Sequence, residues 1–161
     1  MPQSAAAAEG GSLEFFGTGS GFVDRVEIPV DPPSSADVGD TDFTIEVWVR
    51  PSDANTAGPA DCSDGLAWIN DNIVLDRDRY SLGRKFGVSL AGGRVVFGVS
   101  GATDADSTSL CADTDLRDGA WHHIAVQRRA TDGFIWVFVD GTLEASGDGP
   151  NGDVSYPDGV A

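Results

Sequence analysis

The sequence predicts an all-β domain of antiparallel strands, and three observations support this. Residues 118–148 contain three successive runs suited to strands, separated by short polar turns. In Asp42–Arg50, Phe43, Ile45, Val47 and Val49 fall on one face of an extended chain, which is the period of a half-buried strand. No segment has the pattern of a long helix, no repeat occurs at a fixed period, and no linker divides the 161 residues.

The strands are predicted from the amino terminus onward by short apolar runs that end at turn residues. Ser12–Phe16 and Asp24–Val30 are the first two, and the prolines at 29, 32 and 33 end the second because proline cannot donate to a central ladder. Asp42–Arg50 follows, with its alternating face directed to the core. Further predicted strands are Ile73–Asp76, Phe86–Leu90 and Arg94–Val99, the last two joined by Ala91-Gly92-Gly93.

Two long polar segments, Pro51–Asp71 and Ala102–Asp118, are predicted to be loops. Loops of this length in a compact domain are usually functional or covalently tied. The first contains Trp68 and Ile69 as its only bulky apolar residues.

The carboxyl-terminal half is predicted to be a three-stranded meander made of Trp121–Arg129, Phe134–Val139 and Thr142–Ala145. Asp140-Gly141 separates the second strand from the third. Asp-Gly between apolar runs favours a type I′ hairpin, because that turn needs positive φ at both central residues. The turns therefore define the register of the meander.

Two motifs resemble those of laminin-G-like domains. The first is Asp118-Gly-Ala-Trp-His-His-Ile-Ala-Val, followed by a turn, an aromatic strand and Val139-Asp-Gly; the second is Phe43-Thr-Ile-Glu-Val-Trp-Val-Arg-Pro upstream. The resemblance implies a concanavalin A-like antiparallel β-sandwich, or jelly roll. Such domains continue into further strands after the meander, so we expect a sandwich that lacks its last C-terminal strands. An uncovered sheet edge would then favour self-association, or return of the tail Asp153–Ala161 along that edge.

Composition limits the number of domains and the classes of partner. The length suits one domain, predicted at 12–161, with 1–11 as a flexible lead-in that lacks the charged start of a signal peptide. The formal net charge of −16 argues against nucleic acid and anionic membranes as partners. No apolar run approaches the roughly 20 residues that span a bilayer, which argues against membrane insertion.

Cys62 and Cys111 are the only cysteines, and each lies in a loop rich in Asp, Ser and Gly. Buried thiols are not expected in such loops, so we predict a disulfide between them. Closing a loop of about 50 residues stabilises a fold by roughly 4 kcal/mol in the chain-entropy model. A lasting disulfide implies an oxidising compartment, which places the protein outside the cell, at its surface or in a periplasm. Two unrelated thiols in a cytosolic protein remain the alternative.

Calcium is the metal that the acidic loops suggest, because it prefers carboxylate oxygens. Asp104 with Asp106 and Asp113 with Asp115 are weak candidate ligands. Calcium-binding laminin-G-like domains place an aspartate just before the strand that enters the glycine hairpin. Here that position reads Gly83-Arg84-Lys85-Phe86, so a cation replaces the ligand. Solvated acidic loops are therefore favoured over a calcium site, and no cofactor is expected to be required.

Catalytic residues are not indicated by the remaining motifs. Hydrolases with the sandwich fold carry acidic residues at i, i+2 and i+5 of one strand, and that pattern does not occur. Glu14, Glu27, Glu46 and Glu144 are each solitary, whereas glycoside hydrolysis needs paired carboxyl groups. His122 and His123 are adjacent on a strand, so they point to opposite faces and cannot form one two-His metal site. The resemblance to laminin-G-like domains implies that they are structural.

Aromatic residues on both faces of the predicted strands are the remaining functional feature. Trp48, Trp68 and Trp136 are candidate ligand-binding residues, since aromatic side chains form platforms for sugar rings. We therefore expect a non-catalytic binding or adhesion module of an exported bacterial protein, with a glycan or a protein as ligand. An accessory or degenerate glycoside hydrolase-type domain and a structural assembly subunit remain alternatives.

Overall fold

The computed structural model describes residues 11–15, 25–28, 38–52, 61–78 and 83–155, which form a β-sandwich of two four-stranded antiparallel sheets. In sheet A the strand order is β1-β6-β7-β8, and in sheet B it is β2-β3-β4-β5. This confirms the predicted all-β sandwich. The strands are β1 (Phe43–Val49), β2 (Asn72–Arg77), β3 (Lys85–Ala91), β4 (Arg94–Ser100), β5 (Ser107–Cys111), β6 (His122–Arg128), β7 (Ile135–Val139) and β8 (Thr142–Gly147).

The hydrophobic core lies between the two sheets. Phe43 of β1 packs on Phe86 of β3, with ring centroids 4.8 Å apart, and meets Phe97 of β4 edge-on at 6.5 Å. The inward residues of β6 and β7 complete the core with aliphatic side chains, among them Ile124, Val126, Ile135, Val137 and Val139. The alternation that predicted a core face for β1 is thus confirmed, since Ile45, Val47 and Val49 pack against the same cluster.

Both predicted hairpins occur with the expected backbone. Asp140 and Gly141 have φ values of 49° and 77°, and Gly92 and Gly93 have φ values of 55° and 81°. Positive φ at both central residues is the type I′ requirement, so these turns match the twist of the strands that they join. The meander β6-β7-β8 is paired throughout as predicted.

The two segments predicted to be loops contain regular structure, which corrects that prediction. Ser107–Cys111 is strand β5, and Ala67–Asn70 is a short 3-10 helix. Strand β5 escaped notice because its sequence is polar. Its serines are satisfied by hydrogen bonds, since Ser109 Oγ donates to Gly65 O at 2.7 Å and Ser107 Oγ bonds Ser100 Oγ at 2.9 Å.

The two amino-terminal strands that the sequence predicted do not occur where the structure describes them. Residues 12–15 of Ser12–Phe16 and residues 25–28 of Asp24–Val30 have no strand pairing and are exposed. Their other residues lie outside the described part of the chain. Leu13, Phe15, Val26 and Ile28 expose apolar side chains. Their alternating pattern predicted strands, but the described chain places no partner strand beside them.

The outer face of sheet B is covered by the segment around the 3-10 helix. Trp68 is 0% exposed and lies over Gly87 of β3 and Gly98 of β4, which are paired across the two strands. The predicted disulfide is present between Cys62 and Cys111, with Cα atoms 5.8 Å apart. It attaches this covering segment to the end of β5.

The described part of the carboxyl-terminal tail crosses the end of the sandwich. Gly152 N donates to Ala130 O at 3.0 Å, and Val154 N donates to Gly39 O at 2.9 Å. The buried Arg128 donates to Pro150 O at 2.9 Å and Gly152 O at 2.6 Å. Residues 153–155 therefore lie beside Gly39. Residues 156–161 lie outside the described chain, so the return of the tail Asp153–Ala161 along a sheet edge stays a prediction.

Among the described residues, no helix has the length and apolar character needed to cross a bilayer.

Candidate functional site

The outer face of sheet A carries the candidate site, because outward positions of β1, β6 and β7 bring aromatic side chains together. Trp48 lies opposite His123, and Thr44, Gln127 and Trp136 form a second row across the three strands. Between these rows Glu46, Ala125 and Phe138 are aligned. Ala125 is the smallest side chain of that middle row and is buried between Glu46 and Phe138.

The most exposed aromatic surface of this face is a group that we call the Trp48 patch, made of Trp48, Arg50, Trp121 and His123. Trp48 is 61% exposed and Trp121 is 44% exposed. The His123 ring packs on Trp48 with centroids 5.1 Å apart, and the guanidinium of Arg50 lies 5.2 Å from the centre of the Trp121 ring. Trp48 on β1 and Trp121, just before β6, are diagonal neighbours in the sheet, which places their Cα atoms about 7–8 Å apart.

A second aromatic group lies along β7 on the same face. Phe134 and Trp136 pack with ring centroids 4.8 Å apart, and Arg129 lies 5.3 Å from the centre of the Trp136 ring. Arg129 also pairs with Asp132 at 2.5 Å, which lowers the pKa of that carboxyl to about 2. Phe134 and Trp136 are half-buried, so their rings expose less surface than the tryptophans of the Trp48 patch.

His122, on the opposite side of β6 from His123, holds the start of the strand. Its Nδ1 is 2.8 Å from Asp140 Oδ2, and its Nε2 is 3.0 Å from Asp118 Oδ1. Asp140 Oδ1 also accepts the His123 N–H at 2.9 Å. The hydrogen bonds to Asp140 and then Asp118 raise the pKa of His122. This clamp of hydrogen bonds fixes the backbone at His122, between Trp121 and His123. It therefore positions two residues of the Trp48 patch.

A comparison with family models finds one match, described as the concanavalin A-like lectin/glucanases superfamily, over residues 24–160. The chain belongs to this superfamily. A comparison with curated proteins finds no match.

Two of the three tryptophans predicted to contact a ligand lie on the same outer face of this concanavalin A-like domain, in separate groups. Trp48 and Trp136 both point outward from sheet A. Trp68 does not join them, because it is fully buried against sheet B. The prediction that Trp68 contacts a ligand is therefore wrong: it is one of the two bulky apolar residues of a long loop, and its indole packs on the sheet instead.

The predicted calcium ligands are divided between the two ends of β5. Asp104 and Asp106 precede the strand and Asp113 and Asp115 follow it, so about 17 Å separates the two pairs. Several of these carboxylates face cations of the chain: Asp104 is 3.1 Å from Lys85 Nζ, Asp113 is 3.8 Å from Arg94 and Asp115 is 2.5 Å from Arg117. Arg117 lowers the pKa of Asp115 to about 2. In the described ranges no three His, Cys, Asp or Glu side chains converge as metal ligands would.

Lys85 belongs to the Gly83–Phe86 stretch, in which a cation replaces a calcium ligand. It is only 3% exposed, and its ammonium lies 3.7 Å from Asp78 as well as near Asp104. A fixed positive charge thus occupies the space between two loop carboxylates of this superfamily member.

The strand glutamates do not have the spacing of a glycosidase pair. Glu46 is on β1 and Glu144 is on β8, at opposite edges of sheet A. Three strand spacings lie between them, a total of about 14 Å. Retaining and inverting glycosidases need roughly 5–10 Å. Within the described chain Glu144 has no carboxylate partner, and its own carboxylate accepts the N–H groups of Asp113 and Thr114, each at 2.9 Å.

Arg50 and Trp121 are site residues that the sequence did not single out as ligand contacts. Arg50 was placed on the same face as Trp48, and Trp121 was assigned to a strand. The pairing of β1 with β6 was the missing information, since it brings Trp48, Arg50, Trp121 and His123 side by side. Alternation within each strand, combined with that register, would have identified the patch.

Proposed function

We propose that this domain is a non-catalytic module of an exported protein that binds glycans on the outer face of sheet A. One observation carries the proposal: Trp48 is 61% exposed on that face, whereas Trp68, the tryptophan that lies on the other outer face, is fully buried. Exposed aromatic surface of this kind on one side of a small domain marks an interaction site.

The chemistry of the patch suits a sugar ring. The faces of a pyranose carry C–H groups, which pack on an indole in the way that apolar groups do, while its hydroxyls stay at the rim. Covering roughly 100 Å² of indole surface contributes about 2.5 kcal/mol at the usual coefficient for apolar burial. Trp48 and Trp121 are close enough to contact neighbouring sugar rings of one chain, and Trp136 lies farther along the same face.

Polar side chains beside the aromatic groups supply hydrogen bonds for sugar hydroxyls. Thr44 and Glu46 are exposed on β1, and Gln127 and Ser146 lie in the row of Trp136. A few placed polar groups among aromatic ones give a binding site its orientation and specificity.

The disulfide supports an oxidising location, because Cys62–Cys111 bonds of this kind persist outside the cytosol. Soluble and insoluble polysaccharides are ligands that an exported module would meet there.

Calorimetric titration with a panel of soluble polysaccharides tests the proposal. Trp48→Ala should weaken binding at least tenfold, which corresponds to about 1.4 kcal/mol. Ile73→Ala is the matched control, because Ile73 is also an exposed apolar residue of an edge strand but lies on sheet B. Absence of binding by the wild-type protein across the panel, or equal affinities of wild type and Trp48→Ala, would contradict the proposal.

A further inference from the structure

We infer that Arg50 recognises the carboxylate of an acidic sugar within the bound glycan. The inference rests on the proposed function, since it assigns one polar contact to the Trp48 patch. It adds that the glycan carries a uronic acid or another carboxylated residue at this position.

Arg50 differs from other basic residues of the described chain in its surroundings. The chain has 26 acidic and 10 basic residues, and exposed arginines are paired accordingly. Arg84 is 3.2 Å from Asp153, Arg129 is 2.5 Å from Asp132, and Arg94 is 3.8 Å from Asp113. Within the described residues no carboxylate pairs with Arg50, which is exposed and contacts the Trp121 ring.

The stacked arrangement prepares the guanidinium for a carboxylate. A guanidinium that lies over an aromatic ring keeps the N–H groups at its edge free, and those donors match the two oxygens of a carboxylate. Packing on Trp121 also limits the conformations of the long side chain, so less entropy is lost when the ligand binds. Trp48, the neighbouring indole, can hold the sugar ring that bears the carboxylate.

The charge of the whole protein determines which acidic glycan fits. A net charge of −16 repels a polyanion, and one guanidinium can neutralise one carboxylate. Glu46 is four residues before Arg50, so about 13 Å separates their backbones, and the Glu46 carboxylate lies 3.6 Å from His123 Nε2. The patch therefore suits an isolated acidic sugar in an otherwise neutral glycan.

The inference is tested by titrating pairs of oligosaccharides that differ by one functional group. In each pair, one member ends in glucuronic or galacturonic acid. The other member ends in the same sugar with its carboxyl group reduced to an alcohol. Wild-type protein should bind the acidic member of at least one pair tenfold more tightly, and this preference should shrink in high salt. Arg50→Gln should abolish the preference while it leaves affinity for the reduced member within about twofold.

Arg94→Gln is the matched control, because it also removes one positive charge but lies on sheet B. It should keep the preference for the acidic sugar. Equal affinities for the acidic and reduced members would overturn the inference while leaving the proposed glycan binding intact. Loss of the preference in Arg94→Gln to the same extent as in Arg50→Gln would also overturn it, since long-range charge would then be the cause.

A glutamate-rich peptide serves as the last probe. If it binds as tightly as the acidic oligosaccharide and competes with it, Arg50 reads carboxylates of a protein partner and the assignment to a sugar is wrong. If no member of any pair binds but neutral polysaccharides do, the inference fails alone. If neither class binds, the proposed function fails with it.

Discussion

The indole of Trp68 occupies the space that a side chain at position 98 would need. A Cβ built on Gly98 would lie under 3.0 Å from Trp68, closer than real Cβ atoms approach other groups, and the same holds for its cross-strand partner Gly87. The paired glycines thus form the seat on which the covering segment of sheet B rests. Trp68 is consequently buried on that face, and sheet A alone presents exposed tryptophans on an outer face in the described chain.

Gly98→Ala should destabilise the fold by about 1–3 kcal/mol, because the added methyl group must displace a fully buried indole. Urea unfolding at neutral pH measures this change. Gly147→Ala is the control: it also adds a methyl group in a strand, but the nearest atom is the tip of Leu110 at 3.3 Å, and a shift of that side chain is cheap. Equal losses of unfolding free energy in the two variants would show that Trp68 is not packed tightly on Gly98.

Removal of the disulfide by Cys62→Ser with Cys111→Ser should lower the free energy of unfolding by up to about 4 kcal/mol, since the bond closes a sequence separation of 49 residues. Thermal unfolding of the variant and of the wild type, each with and without reductant, checks this. Reductant should lower the midpoint of the wild type and leave the variant unchanged. Identical midpoints for both proteins would mean that the bond adds no stability.

His122 should make stability depend on pH. Its folded-state pKa is raised above 6.5 by Asp140 and Asp118, so the protonated ring stabilises the fold fully below about pH 6.5 and less as pH rises through the folded pKa. The two aspartates have lowered pKa values, so their share requires a pH above about 4. The stability difference between wild type and His122→Gln should therefore be greatest at about pH 4–6.5.

NMR titration of the imidazole gives the direct reading. The pKa of His122 should exceed 6.5 in the wild type and move back toward that value in Asp118→Asn, which removes one charged partner. An unshifted imidazole, or a stability difference that is constant from pH 4 to pH 9, would refute the clamp.

Much of the fold followed from local pattern. The type I′ turns at Asp140-Gly141 and Gly92-Gly93 and the alternation of β1 were readable because backbone and burial requirements act on neighbouring residues. Strand β5 was missed because its serines satisfy themselves through loop atoms such as Gly65 O, which are remote in sequence. For the same reason Trp68 looked like a ligand contact: its seat is made of two glycines, which carry no apolar signal.

The candidate site was predicted only in part, since its residues come from strands that are about 75 positions apart in sequence and adjacent in sheet A. Trp48 and Trp136 could be placed on outward faces by alternation. Arg50 and Trp121 could be joined to them only once β1 was known to pair with β6.

Glu144 shows how an irregularity in a strand redirects a side chain. Val137 pairs with Ala145 and Phe138 with Leu143, so Glu144 is the extra residue of a β-bulge in β8. Its carboxylate binds Asp113 N, Thr114 N and the Thr114 hydroxyl, which connects the edge of sheet A to the segment after β5. Glu144→Ala should therefore cost about 1.5–3 kcal/mol, as hydrogen bonds to charged groups do.

Thermal unfolding of Glu144→Ala beside Glu46→Ala tests this role. Glu46 is exposed on the opposite edge strand, and its loss should change stability by about 0.5 kcal/mol or less. A Glu144→Ala variant as stable as Glu46→Ala would show that the bulge does not hold the sheets together.

The central claim is that glycans bind on the outer face of sheet A, and the four tryptophan indole N–H signals in an NMR titration test it most directly. Addition of a binding oligosaccharide should shift the signals of Trp48 and Trp121, with a smaller change at Trp136, and leave Trp68 in place because it is fully buried on the other sheet. Saturable binding that moves Trp68 but neither Trp48 nor Trp121 would contradict the claim.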